Sequence, residues 1–407
     1  MINNKISNII NRMSNTICIQ NANIFTGIMT IPEGAIIIKN DKIEDVVGKE
    51  RFKKLNLPKD TYYIDLKGDN LCAGFIDTHI HGFGGFDTSD GSIESYLEIS
   101  KLLIPYGVTT FCPTIYTQKE EDLNAAIKAG VKAMGKEEGA CINGLNLEGP
   151  FISRHQTGAQ EKSALQKVNM ELMHKYAETG KGCISIMTVA PELKNMRELA
   201  IYCIKNGIKL AAGHTNATYE NMLEGMQAGI LHSTHFFNAM RKLHHRDPGC
   251  VGAILIHPEI SCEIIADGYH VHPALIKLLY RDKPVDKIVL VTDSLRPTKQ
   301  KKGTMIANKE EVYLKNNIFL RKKDNVIAGS SLTMLLGIKN LVSWGITLED
   351  AILFSTANPA RILGIDKEKG LLIPGYNADI TAFNNKFETT LTIAKGKILF
   401  LKQQKYV

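Results

Sequence analysis

Between residues 74 and 293 short apolar runs alternate with longer segments of helical spacing. The apolar runs are 74–81, 107–114, 141–148, 183–190, 209–214, 232–236, 261–266 and 287–293, and each predicts a strand. Between most of them apolar residues recur every three or four positions, as in 93–105, 121–134, 193–205 and 219–227. Several of these segments stop at a glycine (Gly107, Gly135, Gly207, Gly229), the usual residue just past a helix end. Eight strands alternating with helices predict parallel βα units, and eight units in this length predict a closed (β/α)8 TIM barrel of the α/β class. An open doubly wound sheet is the alternative, and the lack of G-x-G-x-x-G after the first strand counts against it.

The two ends read differently. Residues 16–25 and 35–47, and residues 378–383 and 389–401, are short runs rich in Ile, Val and Thr, with candidate turns at Asn40-Asp41 and Lys395-Gly396. Long helical patterns are missing from both ends. This predicts a small β-sandwich domain built from residues 1–73 and 366–407, flanking a barrel over residues 74–365.

Composition changes this picture little. With 407 residues, 44% hydrophobic and 22% charged, the chain has the make-up of a folded barrel with an accessory domain. The formal net charge of +7 includes local runs at 299–302 and 321–323, which read as solvated loops. Such a mild positive field suits a small anionic substrate. No basic stripe is interleaved with aromatics, so nucleic acid is not expected as a partner. Eight scattered cysteines without a C-x-x-C pair read as reduced thiols. The first fifteen residues are polar, holding Lys5 and Arg12, and no apolar run is long enough to span a bilayer. The expectation is a cytoplasmic protein without a membrane segment.

In such a barrel chemistry sits at the C-terminal ends of the strands. Strand 1 ends in Asp77-Thr78-His79-Ile80-His81, and two histidines two apart on a strand share a face. Strand 3 ends in Glu148-Gly149-Pro150, a carboxylate at a sharp exit. Strand 5 leads to His214, strand 6 carries His232 and His235, and strand 8 leads to Asp293. Each is unremarkable alone, since a lone histidine is more often a hydrogen-bonded structural residue. Together they form a nitrogen and oxygen donor set without sulfur, suited to Zn²⁺, Fe²⁺, Mn²⁺ or Co²⁺.

The strings around these residues resemble the amidohydrolase superfamily, and within it the N-acetylglucosamine-6-phosphate deacetylases. They are Gly74-Phe75-Ile76-Asp77-Thr78-His79-Ile80-His81-Gly82, Leu147-Glu148-Gly149-Pro150-Phe151, Gly213-His214-Thr215, Thr234-His235-Phe236-Phe237-Asn238-Ala239-Met240, Ala266-Asp267-Gly268-Tyr269-His270, Val291-Thr292-Asp293, Ala328-Gly329-Ser330-Ser331-Leu332 and Ala357-Asn358-Pro359-Ala360.

The resemblance implies metal-dependent deacetylation of N-acetyl-D-glucosamine 6-phosphate, in amino-sugar catabolism and cell-wall recycling. It implies Glu148, His214 and His235 as constant metal ligands and His79 with His81 as ligands of a second position, for one or two ions per subunit. It implies Asp293 as the catalytic aspartate and His270 as a catalytic residue placed to stabilise the oxyanion. Substrate contacts are implied for Ala159, Gln160, Asn238, Ala239, Arg246, His270, Ile327, Ala328 and Gly329. Arg246 would reach the phosphate in a neighbouring subunit, so a homodimer is implied; Lys242, His244 and His245 either assist or form a solvated loop. Other branches bridge two metals with a lysine, and no lysine stands at the end of strand 3 or 4. Dihydroorotases, hydantoinases and allantoinases, and a metal-free scaffold barrel, are the competing readings. Two departures stand out: Gln160 occupies a position that is His in some members, and there is an N-terminal extension of roughly fifteen residues without an assigned role.

Overall fold

Eight parallel strands ring the middle of the chain in the computed structural model, which describes residues 15–402. They are β1 (Phe75–Ile80), β2 (Val108–Ile115), β3 (Leu145–Glu148), β4 (Ile184–Val189), β5 (Lys209–Ala212), β6 (His232–Ser233), β7 (Ser261–Ile265) and β8 (Ile288–Val291). Each pairs in parallel with the next, from β1 through β8. Helices follow in turn: α1 (Ile93–Leu103), α2 (Glu120–Ala133), α3 (Met170–Gly180), α4 (Met196–Lys205), α5 (Tyr219–Gln227), α6 (Gly249–Ile256), α7 (Pro273–Asp282) and α8 (Met334–Ser343). This is the expected (β/α)8 barrel. The N-terminal extension, up to residue 14, lies outside the described residues.

Local signals place these helices. Thr218 caps α5 through a reciprocal box with Asn221, Asn169 accepts from Leu172 N–H at the start of α3, and Pro273 opens α7 with a preset φ. Gly107 stands at φ +80, and an added Cβ would come within 2.5 Å of Thr381 and 2.9 Å of the Phe75 ring, so glycine is required where α1 gives way to β2.

The ring is not sealed by a ladder at every point. Among the described residues β8 and β1 share no registered pair. The seam is held instead by Asp77, which accepts from Thr292 N–H at 3.3 Å and Thr292 Oγ1 at 2.6 Å, and by Asp293 N–H donating to His79 O at 2.9 Å.

Both chain ends meet in one sheet. Its order runs Lys397–Leu401, Thr389–Ala394, Ile380–Phe383, Asn70–Ala73, Thr16–Phe25, Thr30–Lys39 and Lys42–Val47, with Tyr62–Asp65 beside Thr16–Phe25. Ile19, Ile24, Ile36, Ile380 and Ile393 share its apolar core.

A region without a predicted element is also a sheet. After β8 the strands Ile306–Ala307, Glu310–Lys315, Ile318–Arg321 and Ile327–Ser330 form an antiparallel insert. In the charge run at 321–323 only Arg321 lies in a strand; Lys322 and Lys323 form the expected exposed turn. Arg321 ends a strand and pairs with Asp324, while Lys322 and Lys323 pair with Glu311 and Glu310, because cross-strand acids face them in the hairpin.

Candidate metal centre and active-site cavity

Five of the strand-end residues converge at the mouth of the barrel around Glu148. Its Oε1 lies 2.9 Å from both His214 Nε2 and His235 Nε2, and its Oε2 lies 3.2 Å from His81 Nε2. His79 Nε2 is 3.8 Å from Oε1. Asp293 Oδ1 closes the other side, 3.4 Å from His81 Nε2 and 3.7 Å from His79 Nε2. All six residues are buried. His79 joins two overlapping donor sets, one with His81 and Asp293, the other with Glu148 and His235.

The predicted strands around residues 209–214 and 232–236 are too long. β5 ends at Ala212 and β6 at Ser233, so His214 and His235 lie beyond the ladder. His214 (φ 46), His235 (φ 25) and Asp293 (φ 47) all take left-handed backbone conformations. Non-glycine residues adopt this region at a cost, and such strain concentrates at functional sites. The turn swings each side chain back over the barrel axis.

The hydrogen bonds show what the cluster demands. His214 Nδ1 donates to Gln156 O at 3.0 Å, and His81 Nδ1 donates to Thr114 O at 3.0 Å. His79 Nδ1 faces Glu263 Oε2 at 3.2 Å. With Nδ1 carrying the proton, a neutral ring turns its Nε2 lone pair inward. Those lone pairs meet one another and two carboxylates: His214 Nε2 is 3.1 Å from His235 Nε2, and His79 Nε2 is 3.4 Å from His81 Nε2. Lone pairs and carboxylates packed this closely require positive charge between them.

Ionisation agrees. Burial opposes charge on Glu148, yet His214, His235 and His81 outweigh it and hold the carboxyl well below the usual range. Burial also disfavours a charged His79, but the Glu263 hydrogen bond and the charges of Glu263, Glu148 and Asp293 push its pKa up to about 10. Desolvation dominates at His235 and lowers it, keeping that ring neutral. The donor set fits a divalent ion: imidazole nitrogens and carboxylates, with hydrogen bonds behind the rings of His79, His81 and His214.

One cavity opens over the cluster. It is lined by His81, Glu148, His214, His235 and Asp293, and by Ala159, Gln160, Asn238, Ala239, His270, Ile327, Ala328 and Gly329. Ile327 to Gly329 come from the last strand of the insert, and Ser330 N–H donates to Asp293 O at 2.9 Å. His79 is fully buried and is not among the lining residues, and Arg246 is the predicted substrate contact that does not line this cavity. It is exposed in the segment after β6, its Nη1 2.8 Å from His245 Nε2. Gln160 lines the cavity and is also committed inward, since Thr117 N–H donates to its Oε1 at 3.0 Å and its amide nitrogen donates to Glu148 Oε2.

His270 is aimed by Asp267. Its Nδ1 lies 2.6 Å from Asp267 Oδ2, and the backbone N–H groups of Tyr269 and His270 donate to Asp267 Oδ1. Burial works against the imidazolium, but Asp267 prevails and raises its pKa.

Sequence reasoning gave no role to three residues around the cluster. Glu263 holds His79 from behind, Asp77 pins Thr292 beside Asp293, and Tyr116 stacks flat on His81, with ring centroids 3.7 Å apart. A signal existed for Glu263: it is a lone carboxylate inside an apolar strand of a parallel barrel, where both faces are buried.

Known proteins match along nearly the whole chain. The Amidohydrolase family model matches residues 70–399. An N-acetylglucosamine-6-phosphate deacetylase of Bacillus subtilis (strain 168) is 33% identical over 404 residues, covering 96% of this chain and 99% of the relative. One of Bos taurus is 31% identical over 347 residues, covering 83% and 85%. The crystal structure of N-acetylglucosamine-6-phosphate deacetylase from Pasteurella multocida superposes with a TM-score of 0.87 at 28% identity, covering 94% of this chain and 99% of that one.

Proposed function

The chain belongs to the amidohydrolase family, and from that premise we propose that it hydrolyses N-acetyl-D-glucosamine 6-phosphate to D-glucosamine 6-phosphate and acetate. The reaction belongs to amino-sugar catabolism and cell-wall recycling. The observation that carries the reading is Glu148, whose two oxygens face different histidines, His214 and His235 on one side and His81 on the other.

Glu148, His214 and His235 would hold one divalent ion, and His79 with His81 would hold a second. Zn, Fe, Mn and Co all suit these donors. The chemistry such ions supply is Lewis acidity, which polarises an acyl carbonyl and lowers the pKa of water from about 16 to about 7. Asp293 accepts a proton from the attacking water and returns it to the leaving amine nitrogen as the C–N bond breaks. His270, its pKa raised by Asp267, donates to the oxyanion that forms on the acetyl carbonyl. Ala159, Gln160, Asn238, Ala239 and the strand carrying Ile327, Ala328 and Gly329 position the sugar.

Arg246 lies outside the cavity of its own chain and is exposed. This supports a homodimer in which Arg246 takes the phosphate of the substrate in the neighbouring subunit, with the forked, always-charged geometry that phosphate favours. Its neighbours Lys242, His244 and His245 are exposed as well. No described helix is long and apolar enough to cross a membrane. We assign the reaction to the cytoplasm, where eight free thiols stay reduced.

The test is acetate release from N-acetylglucosamine 6-phosphate, measured beside ring opening of dihydroorotate on protein purified without chelators and analysed for metal. Acetate release with bound metal is expected. Ring opening without acetate release, or metal-free protein, overturns the proposal.

A further inference from the structure

Glu263 sits in the middle of β7, 1% exposed, directly beneath the cluster. The reaction proposed above uses Glu148 and Asp293 and leaves this carboxylate without a task. An ionised carboxylate so deep in a barrel is strongly unfavourable unless its charge is answered.

Its four contacts point to the answer. Oε2 faces His79 Nδ1 at 3.2 Å and accepts from the backbone N–H of His235, also at 3.2 Å. Oε1 accepts from Thr78 Oγ1 at 3.1 Å and faces His232 Nε2 at 3.4 Å. One side chain on β7 thus grips β1 at Thr78 and His79, β6 at His232, and the left-handed turn at His235. It fixes the ring of His79 so that Nε2 faces the centre.

We infer that Glu263 is a positioning residue for the His79 and His81 half of the centre, orienting His79 through Nδ1. The inference rests on the two-ion reading above. Carboxylates that hold ligand histidines from behind set ring orientation and basicity, and their loss weakens metal binding by about 10–100-fold.

The experiment strips wild type, Glu263→Gln and His79→Gln with chelator and reloads each with cobalt(II). Ions per chain are counted by elemental analysis, and each affinity is read by competition with a chromophoric chelator. Wild type is expected to take up two ions and His79→Gln one. Glu263→Gln is expected to keep the first ion and to bind the second about 10–100-fold more weakly. Two ions bound to Glu263→Gln with wild-type affinities overturn the inference. A single ion on wild type overturns the two-ion reading itself, and that result is in hand before any variant is compared.

If circular dichroism shows Glu263→Gln unfolded, Glu263→Asp keeps the charge, shortens the reach and is expected to lose the second ion in the same way. ¹⁵N NMR of the imidazoles in zinc-loaded wild type reads the tautomer directly. A proton on His79 Nδ1 is expected, and metal on Nδ1 overturns the inference.

Discussion

The two halves of the centre place their histidines with different emphasis. His214 and His235 stand past the ends of β5 and β6 on left-handed backbone, aimed by strained turns. His79 lies within β1 and His81 immediately follows it, and both are aimed by partners behind the ring: Glu263 for His79, Thr114 O and the Tyr116 face for His81. Backbone-held histidines depend on the local turn. Partner-held histidines depend on residues from other strands; His214 also has Gln156 O behind its ring and the His235 N–H donates to Glu263, so the first half leans more on its turns and the second more on its partners.

Glu148 belongs to both halves, so its loss erases the difference. Glu148→Ala is expected to abolish metal uptake and lower turnover by at least about four orders of magnitude, read by elemental analysis and acetate release. Residual uptake confined to His79 and His81 would show that the halves are independent. Asp293→Asn is next. It leaves the histidines in place, so metal content is expected to stay near normal while turnover falls about 10²–10⁴-fold, the usual contribution of a positioned proton carrier. Wild-type turnover in that variant removes the proton-shuttle role.

Comparing His79→Gln with His214→Gln probes the contrast itself. The first is expected to lose one ion and about tenfold in turnover, the second to lose both ions and nearly all activity. Equal losses would erase the distinction.

The smallest effect lies outside both halves, at Asp267 and His270. The raised pKa of His270 gives stability that is full below 6.5 and lost as pH rises through its folded value; the lowered pKa of Asp267 gives stability present above 3.8 and lost as pH falls through its folded value. Asp267→Asn is therefore expected to cost about 1.5–3 kcal/mol, most between pH 3.8 and 6.5, in thermal melts across pH. A deficit independent of pH would mean that the pair is not ionised.

Much of this was legible in the sequence because barrel strands and their exit residues are local signals. Residues 74–81 read directly as a strand delivering His79 and His81, and the glycine stops matched the helix ends. The insert was harder to read. Its clue was Asn316-Asn317, both at positive φ in a tight hairpin between Glu310–Lys315 and Ile318–Arg321, yet the lysines around it read as loop. Glu263 and Asp77 escaped because their partners lie far away in sequence: Asp77 meets Thr292 across the barrel seam, a pairing that local periodicity cannot reveal. The left-handed turns at His214 and His235 escaped too, since histidine carries no glycine-like mark of that conformation.

The sheet joining both chain ends bears on how this protein is made. Asn70–Ala73 pairs on one side with Thr16–Phe25, already synthesised, and on the other with Ile380–Phe383, which leaves the ribosome about 300 residues later. At about 5–20 residues per second that strand waits roughly 15–60 s with an open edge while the whole barrel is translated. Until the last strands arrive, that edge is a template for pairing with another nascent chain.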